Sequence, residues 1–155
     1  MPALPNSAGL DTGRPGRRSR QPGWGLTVLR IAIGLVFAVH GYAKFAAGLG
    51  KTSAFFAKVS IPLPELMGPV IAVLELIGGI LLVLGWATRW LGLLFAMEML
   101  VATFWVQMPA KGWNGSELER VLLAGGITLF FTGAGKLAID QVWPKKGFPF
   151  SRFIW

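Results

Sequence analysis

Four ionisable side chains, His40, Lys44, Glu75 and Glu98, sit within stretches of sequence otherwise built mainly from Ile, Leu, Val, Ala, Phe, Met and Gly. If those stretches lie in lipid, each such group costs at least about 2.5 kcal/mol to insert and needs a partner, a wet cavity or a task. The task these residue types suit is proton handling. Histidine changes charge near neutral pH, and a neighbouring glutamate and lysine tune where it does so. Lys44 follows His40 by four residues, so the two stack along one helix face, and the long lysine stem reaches several ångströms up or down. In such a cluster His40 donates or accepts the proton, Glu75 tunes it and Lys44 holds an oxyanion. Gln107, Glu119 and Arg120 extend it into a pocket for a polar small molecule or a proton-coupled carrier such as a quinone headgroup. Arg30 and Glu98 form a second buried polar pair. The competing reading is structural, an ion pair that keeps helices in register with no ligand. One histidine, no cysteine and no paired carboxylates at ligand spacing make no metal site.

The surroundings of these groups follow from composition. Of 155 residues, 54% are hydrophobic and only 14% charged, with a mean hydropathy of +0.59. That is the balance of one compact domain whose apolar surface faces lipid. Lys and Arg number 15 against 7 Asp and Glu, a net charge of +8 that must sit at the ends and in the loops. A surplus so placed faces anionic headgroups. A nucleic-acid binder would interleave its basic residues along a soluble face, and here the stretches between them are apolar. Without cysteine there are no disulfides or thiolate sites, so any redox role uses other groups or an external cofactor.

Four spans are predicted, at about 26–46, 66–86, 90–108 and 118–137, giving an all-α polytopic membrane protein with an antiparallel bundle of transmembrane helices. Residues 1–25, rich in Pro, Gly and Arg, read as a disordered basic cytoplasmic tail, and 141–155 as a cytoplasmic or interfacial one. His40, Lys44 and the missing A-x-A site argue against a cleaved signal peptide. Phe55, Phe56 and Val59 point to a short interfacial helix between the first two spans. Ala87-Thr88-Arg89 makes a tight turn, Pro109 stops the third span, and Ser116 with Glu119 fits a capping box for the fourth.

Depth links the spans to the chemistry. His40 lies roughly 21 Å up a core of about 30 Å, and Glu75 roughly 13 Å below the outer edge, so the two share a depth within a helical turn. Glu98, about 12 Å from the inner edge by the same rise, stands apart and faces Arg30. Orientation comes from basic residues, which resist translocation. Ten lie on one side (Arg14, Arg17, Arg18, Arg20, Arg30, Arg89, Lys136, Lys145, Lys146, Arg152) and five on the other (Lys44, Lys51, Lys58, Lys111, Arg120), which puts both termini in the cytoplasm. Trp24, Trp86, Trp90 and Trp143 then mark the inner interface, Trp105 and Trp113 the outer one. Small patches at Gly34 and Gly41, Gly78 and Gly79, and Gly125 and Gly126 mark close helix contacts.

Three stretches carry a family resemblance: LRIAIGLVFAVHGYAKF at 29–45, LELIGGILLVLGWATRW at 74–90 and GAGKLAID at 133–140. Arg30, His40-Gly41, Lys44, Glu75-x-x-Gly78-Gly79 and Arg89 together make the chain resemble the DoxX family of small bacterial membrane proteins over about 26–140. Glu119 with Leu122-Leu123 fits the family's fourth helix, and Gly133-Ala134-Gly135-Lys136 with Asp140 its closing pattern. Ala134 and Ala138 depart from the usual Pro and Ser. Gln107 stands where many relatives carry a His, which weakens any two-histidine mechanism. The resemblance implies a four-helix bundle in the bacterial plasma membrane, acting as a small subunit or accessory of a redox or sulfur-metabolism system, with quinone as cofactor and membrane oxidoreductase subunits as partners. A non-enzymatic scaffold or small-solute carrier is the competing class. Whether the chain is itself an enzyme, and whether it forms a homo-oligomer, stay open at this point.

Overall fold

The computed structural model describes residues 23–142, so the two expected tails lie almost wholly outside the described residues. Every regular element among the described residues is helical: α1 (Gly23–Ala47), α2 (Leu49–Lys58), α3 (Pro64–Leu84), α4 (Thr88–Lys111), α5 (Glu117–Thr132) and α6 (Ile139–Val142). α1, α3 and α4 are each long and apolar enough to cross a membrane, at 25, 21 and 24 residues. α5 has 16 residues and is led in by a single 3-10 turn at Asn114–Ser116.

The buried stripe of α1, Thr27, Arg30, Gly34, Phe37 and Gly41, recurs every three or four residues, while Val28, Leu35, Val39 and Tyr42 point outward. A helix apolar on both faces belongs in lipid, with one face packed on its neighbours. α1 packs antiparallel to α3 and α4 antiparallel to α5, through glycines where backbones touch. A Cβ on Gly34 would lie 2.8 Å from the Gly79 carbonyl, and one on Gly41 would overlap the Leu76 backbone. Gly92 and Gly126 meet the same way, each within 2.9 Å of the other's carbonyl if given a Cβ. Phe37 stacks on Phe95 with ring centroids 3.7 Å apart, joining the two helix pairs in a core with Ile33, Leu82, Leu91, Met99, Leu122 and Leu129.

α1 and α3 depart from their expected limits by one to three residues, and the limits of α4 and α5 differ for identifiable reasons. α4 begins at Thr88 and continues past Pro109 to Lys111. Proline lacks an amide and its ring collides with the carbonyl four residues back. Here the chain widens into a π turn over Ala102–Gln107, immediately before that point, and the helix survives. α5 ends at Thr132, not 137, because Gly133 at φ 82° takes the chain out of the helix. Ser116 does stand at the N-cap of α5, but forms no cap bond. Its hydroxyl turns back to the carbonyls of Gly112 (3.2 Å) and Trp113 (3.1 Å), so the capping box with Glu119 is absent.

After Gly133 the chain folds back across the bundle end that carries Gly85. Arg30, 1% exposed, donates from Nη1 to Ala134 O (2.9 Å) and from Nη2 to Leu137 O (3.0 Å) and Val83 O (3.3 Å). Thr27 Oγ1 donates to Lys136 O (2.6 Å), and the Asp140 carboxylate accepts the amides of Ala87 (2.8 Å) and Thr88 (2.9 Å). The closing segment thereby ties the ends of α1, α3 and α4 together.

Candidate functional site

One helical turn beyond the Phe37–Phe95 layer, on the side away from Gly85, the bundle carries its buried charges. Lys44 closes the inward stripe of α1, three residues after Gly41, and its Nζ donates to Oε2 of Glu75 on α3. Glu75 is 3% exposed, whereas 26% of the Lys44 side chain remains accessible, so Lys44 forms the mouth of the site. Glu98 on α4 faces the same point: its carboxyl lies within hydrogen-bonding reach of Glu75 and in the field of Lys44. Its Oε2 is buried and meets no N–H or O–H donor among the described residues, so a bond to Glu75 needs a proton on one of the two carboxyls; Oγ1 of Thr103 further along α4 is also unpartnered, as are Arg30 Nε and Thr88 Oγ1 towards the Gly85 end.

Glu98 was expected to lie apart and reach Arg30. The structure corrects both points. Because α4 starts at Thr88, Glu98 stands about 15 Å along it, and Glu75 about 13.5 Å from the Leu84 end of α3, at 1.5 Å per residue. The two carboxyls are thus level. Arg30 cannot answer Glu98, because its guanidinium is taken up by three backbone carbonyls at the Gly85 end.

His40 is a second correction. The Gly41 to Leu76 contact between antiparallel helices sets residue 40 opposite residue 77, so His40 and Glu75 differ in level by about 3 Å, within the helical turn expected. The side chain, however, is exposed on the outer face of α1. The inward stripe runs Phe37, Gly41, Lys44, and His40 falls about 60° off it at 100° per residue, so the four-residue spacing to Lys44 does not bring the imidazole inside. Gln107 is half-buried at the end of the π turn, and Glu119 half-buried in the first turns of α5. Neither makes a side-chain hydrogen bond among the described residues. Arg120 serves its own loop, donating to Trp113 O (2.7 Å) and Ser116 Oγ (2.8 Å) with its guanidinium 3.8 Å from the Trp113 ring centroid.

Both carboxyl-bearing helices depart from regular winding here. Glu75 belongs to a π turn at Leu74–Gly78, and Thr103 to the one at Ala102–Gln107. Single π turns inside α-helices frequently accompany functional sites. Thr103 escaped the sequence reading because a threonine in an apolar helix ordinarily bonds its own carbonyl four residues back. Standing five residues after Glu98, about 140° round a regular helix, it had no spacing signal either. No group of three or more His, Cys, Asp or Glu converges among the described residues. Two carboxyls face one ammonium, which leaves one negative charge unbalanced unless a proton or a donor from a ligand meets it.

An all-helical membrane protein with a charged cluster buried beyond its central aromatic layer is the class these features define. The chain belongs to the DoxX family, whose model matches residues 25–108, that is α1 through most of α4. It is 42% identical over 116 residues to CatD of Bacillus subtilis (strain 168), whose name assigns it provisionally to the oxidoreductases; the match covers 75% of this chain and 84% of CatD. It is also similar to two proteins of Escherichia coli (strain K12) named as inner membrane proteins. YphA is 32% identical over 124 residues (75% of this chain, 88% of YphA), and YqjF 29% over 125 residues (79% and 94%). No solved structure matches the chain.

Proposed function

We propose that Lys44, Glu75 and Glu98 form a proton-handling site for a quinone headgroup, and that the chain is a small subunit or accessory of a quinone-linked redox or sulfur-metabolism system in the bacterial plasma membrane. The observation that carries this reading is the unpartnered Oε2 of Glu98 beside a complete Lys44–Glu75 ion pair. A purely structural ion pair would be satisfied by its own two members. Here a third ionisable group is held level with them, with an acceptor to spare and a hydroxyl, Thr103, equally unspent. An unspent acceptor and an unspent hydroxyl suit the reduced, quinol form of the headgroup, whose hydroxyls both donate and accept hydrogen bonds. Quinone, when bound, supplies two-electron, two-proton carrier chemistry.

In this reading Lys44, part-exposed at the mouth, holds the ligand oxygen, and Glu98 exchanges a proton with the hydroxyl of the reduced, quinol form while the Lys44–Glu75 pair keeps the remaining charge balanced. The oxidoreductase name of CatD supports the redox setting, and the inner membrane names of YphA and YqjF support the location. The basic excess around the Gly85 end supports termini in the cytoplasm and a site in the outer half. The competing reading, a scaffold or carrier in which the cluster is glue, draws on the same Lys44–Glu75 pair, which ties α1 to α3. Quinone binding by the full chain in lipid separates the two. Wild type is expected to bind, and Glu98→Gln, which leaves the ion pair intact, to bind at least ten-fold more weakly. Equal affinity in the two proteins leaves the cluster as structure.

A further inference from the structure

By sequence, the net charge of this protein gathers on one side of its spans. At the far end, and in the cluster below it, Lys44, Lys51, Lys58, Lys111 and Arg120 meet Glu65, Glu75, Glu98, Glu117 and Glu119, five against five. The Gly85 end holds Arg30, Arg89 and Lys136, and the sequence flanking it adds Arg14, Arg17, Arg18, Arg20, Lys145, Lys146 and Arg152. Against these ten stand only Asp11 and Asp140, and ten minus two is the whole net charge of +8.

Asp140 forms no ion pair with Arg89 or Lys136. Both of its oxygens are occupied by the amides of Ala87 and Thr88. Arg30 is buried on three carbonyls. Arg89 and Lys136 are the cations of this end that no carboxylate pairs among the described residues. They flank one short loop: the Arg89 guanidinium borders Gly133, and Lys136 lies along Gly23 with its Nζ 5.6 Å from the Trp24 ring centroid. Trp24, Trp86 and Trp90 stand exposed around the same end, 56%, 46% and 45% accessible. Exposed indoles at the end of apolar helices mark the headgroup level of a bilayer.

We infer that the Arg89–Lys136 loop is a docking site for the phosphate of an anionic phospholipid, with the three indoles against its glycerol and upper acyl chains. Charge complementarity selects the occupant. Two unpaired cations at headgroup depth, Arg89 in the first turn of α4 and Lys136 in the loop after Gly133, attract anionic over zwitterionic lipid. Each cation near a charged membrane surface is worth about a five-fold preference.

The test is native mass spectrometry of the full-length protein released from bilayers of equal phosphatidylglycerol and phosphatidylcholine, counting retained lipids. Wild type is expected to retain phosphatidylglycerol several-fold over phosphatidylcholine, and Arg89→Gln/Lys136→Gln to lose most of that preference. Arg89→Lys/Lys136→Arg, which keeps both charges, should restore it, and Lys51→Gln/Lys111→Gln at the balanced end should leave it unchanged, which separates the local site from a general loss of charge or fold. The inference is overturned if the glutamine pair keeps the wild-type ratio, if the charge-neutralised far end loses as much, or if inorganic phosphate at matched concentration displaces the lipid without acyl-chain dependence.

Discussion

Asp140 caps a helix that begins 52 residues before it: its Oδ2 accepts the amide of Thr88 at 2.9 Å, while Oδ1 accepts that of Ala87 at 2.8 Å. The first amides of α4 have no partner within the helix, and a carboxylate there also meets the positive end of the helix dipole. Ala87 adopts a left-handed conformation at φ 50°, unusual for a residue with a side chain, and the Asp140 contact helps to hold it. Asp140→Ala is expected to destabilise the protein by about 1 to 2 kcal/mol, the loss associated with a removed N-cap. Asp140→Asn, retaining one acceptor, should cost less. Thermal unfolding in a fixed detergent measures both, and a neutral Asp140→Ala would mean that the closing segment does not hold α4.

Arg30 makes the companion contact, and its loss should be more severe. It sits 1% exposed and satisfies the carbonyls of Ala134, Val83 and Leu137. Hydrogen bonds from a charged donor contribute about 1.5 to 3 kcal/mol each, and an abandoned buried carbonyl adds a penalty. Arg30→Met is expected to lower stability by on the order of 3 kcal/mol or more. Arg30→Lys should recover little of it, since an ammonium lacks the planar fork that spans three acceptors. The readout is retention of monodisperse protein after stepwise heating. Full rescue by lysine would show that charge, not geometry, is what this position needs.

The glycine contacts predict opposite signs at different positions. Gly41→Ala would drive a methyl group into the Leu76 backbone, and Gly79→Ala would place one 2.9 Å from Ala38 Cα, where neither helix can yield cheaply. Each is expected to cost about 1 to 3 kcal/mol as overpacking. Gly50 in α2 has open space around its Cβ position, so Gly50→Ala should stabilise by up to about 1 kcal/mol through helix propensity alone. Unfolding in the same detergent compares the three.

What the sequence made legible was set by hydropathy and spacing. The all-helical membrane fold, the turn near Ala87, the short helix between the first spans and the placing of residues 40 and 75 within a helical turn of one level all follow from apolar length and rise per residue. The direction in which His40 points was not legible from a four-residue spacing to Lys44, because that spacing fits either flank of a stripe. Only the full series Phe37, Gly41, Lys44 fixes the inward face. Glu98 was misplaced for a simpler reason. Starting α4 two residues late lowered it by about 3 Å, enough to remove it from the level of Glu75. Asp140 was legible only as the end of the closing family pattern, since nothing local reveals that the chain returns beneath α4 after Gly133.

The cluster itself offers a test that separates ion-pair glue from a working site. Lys44→Met leaves Glu75 buried without its cation, a loss of about 3 to 5 kcal/mol when one member of a buried pair is removed. Lys44→Met with Glu75→Leu removes the ion pair and leaves Glu98 a lone carboxyl that a proton neutralises, and such apolar replacements of a pair are often neutral or stabilising by about 1 to 4 kcal/mol. Stability should therefore fall in the single variant and return in the double one. Quinone binding should not return with it, because the group at the mouth that holds the ligand oxygen is gone in both. If binding recovers alongside stability, the charges serve the bundle alone. If it stays absent in a well-folded double variant, the buried pair is kept for its chemistry despite costing stability.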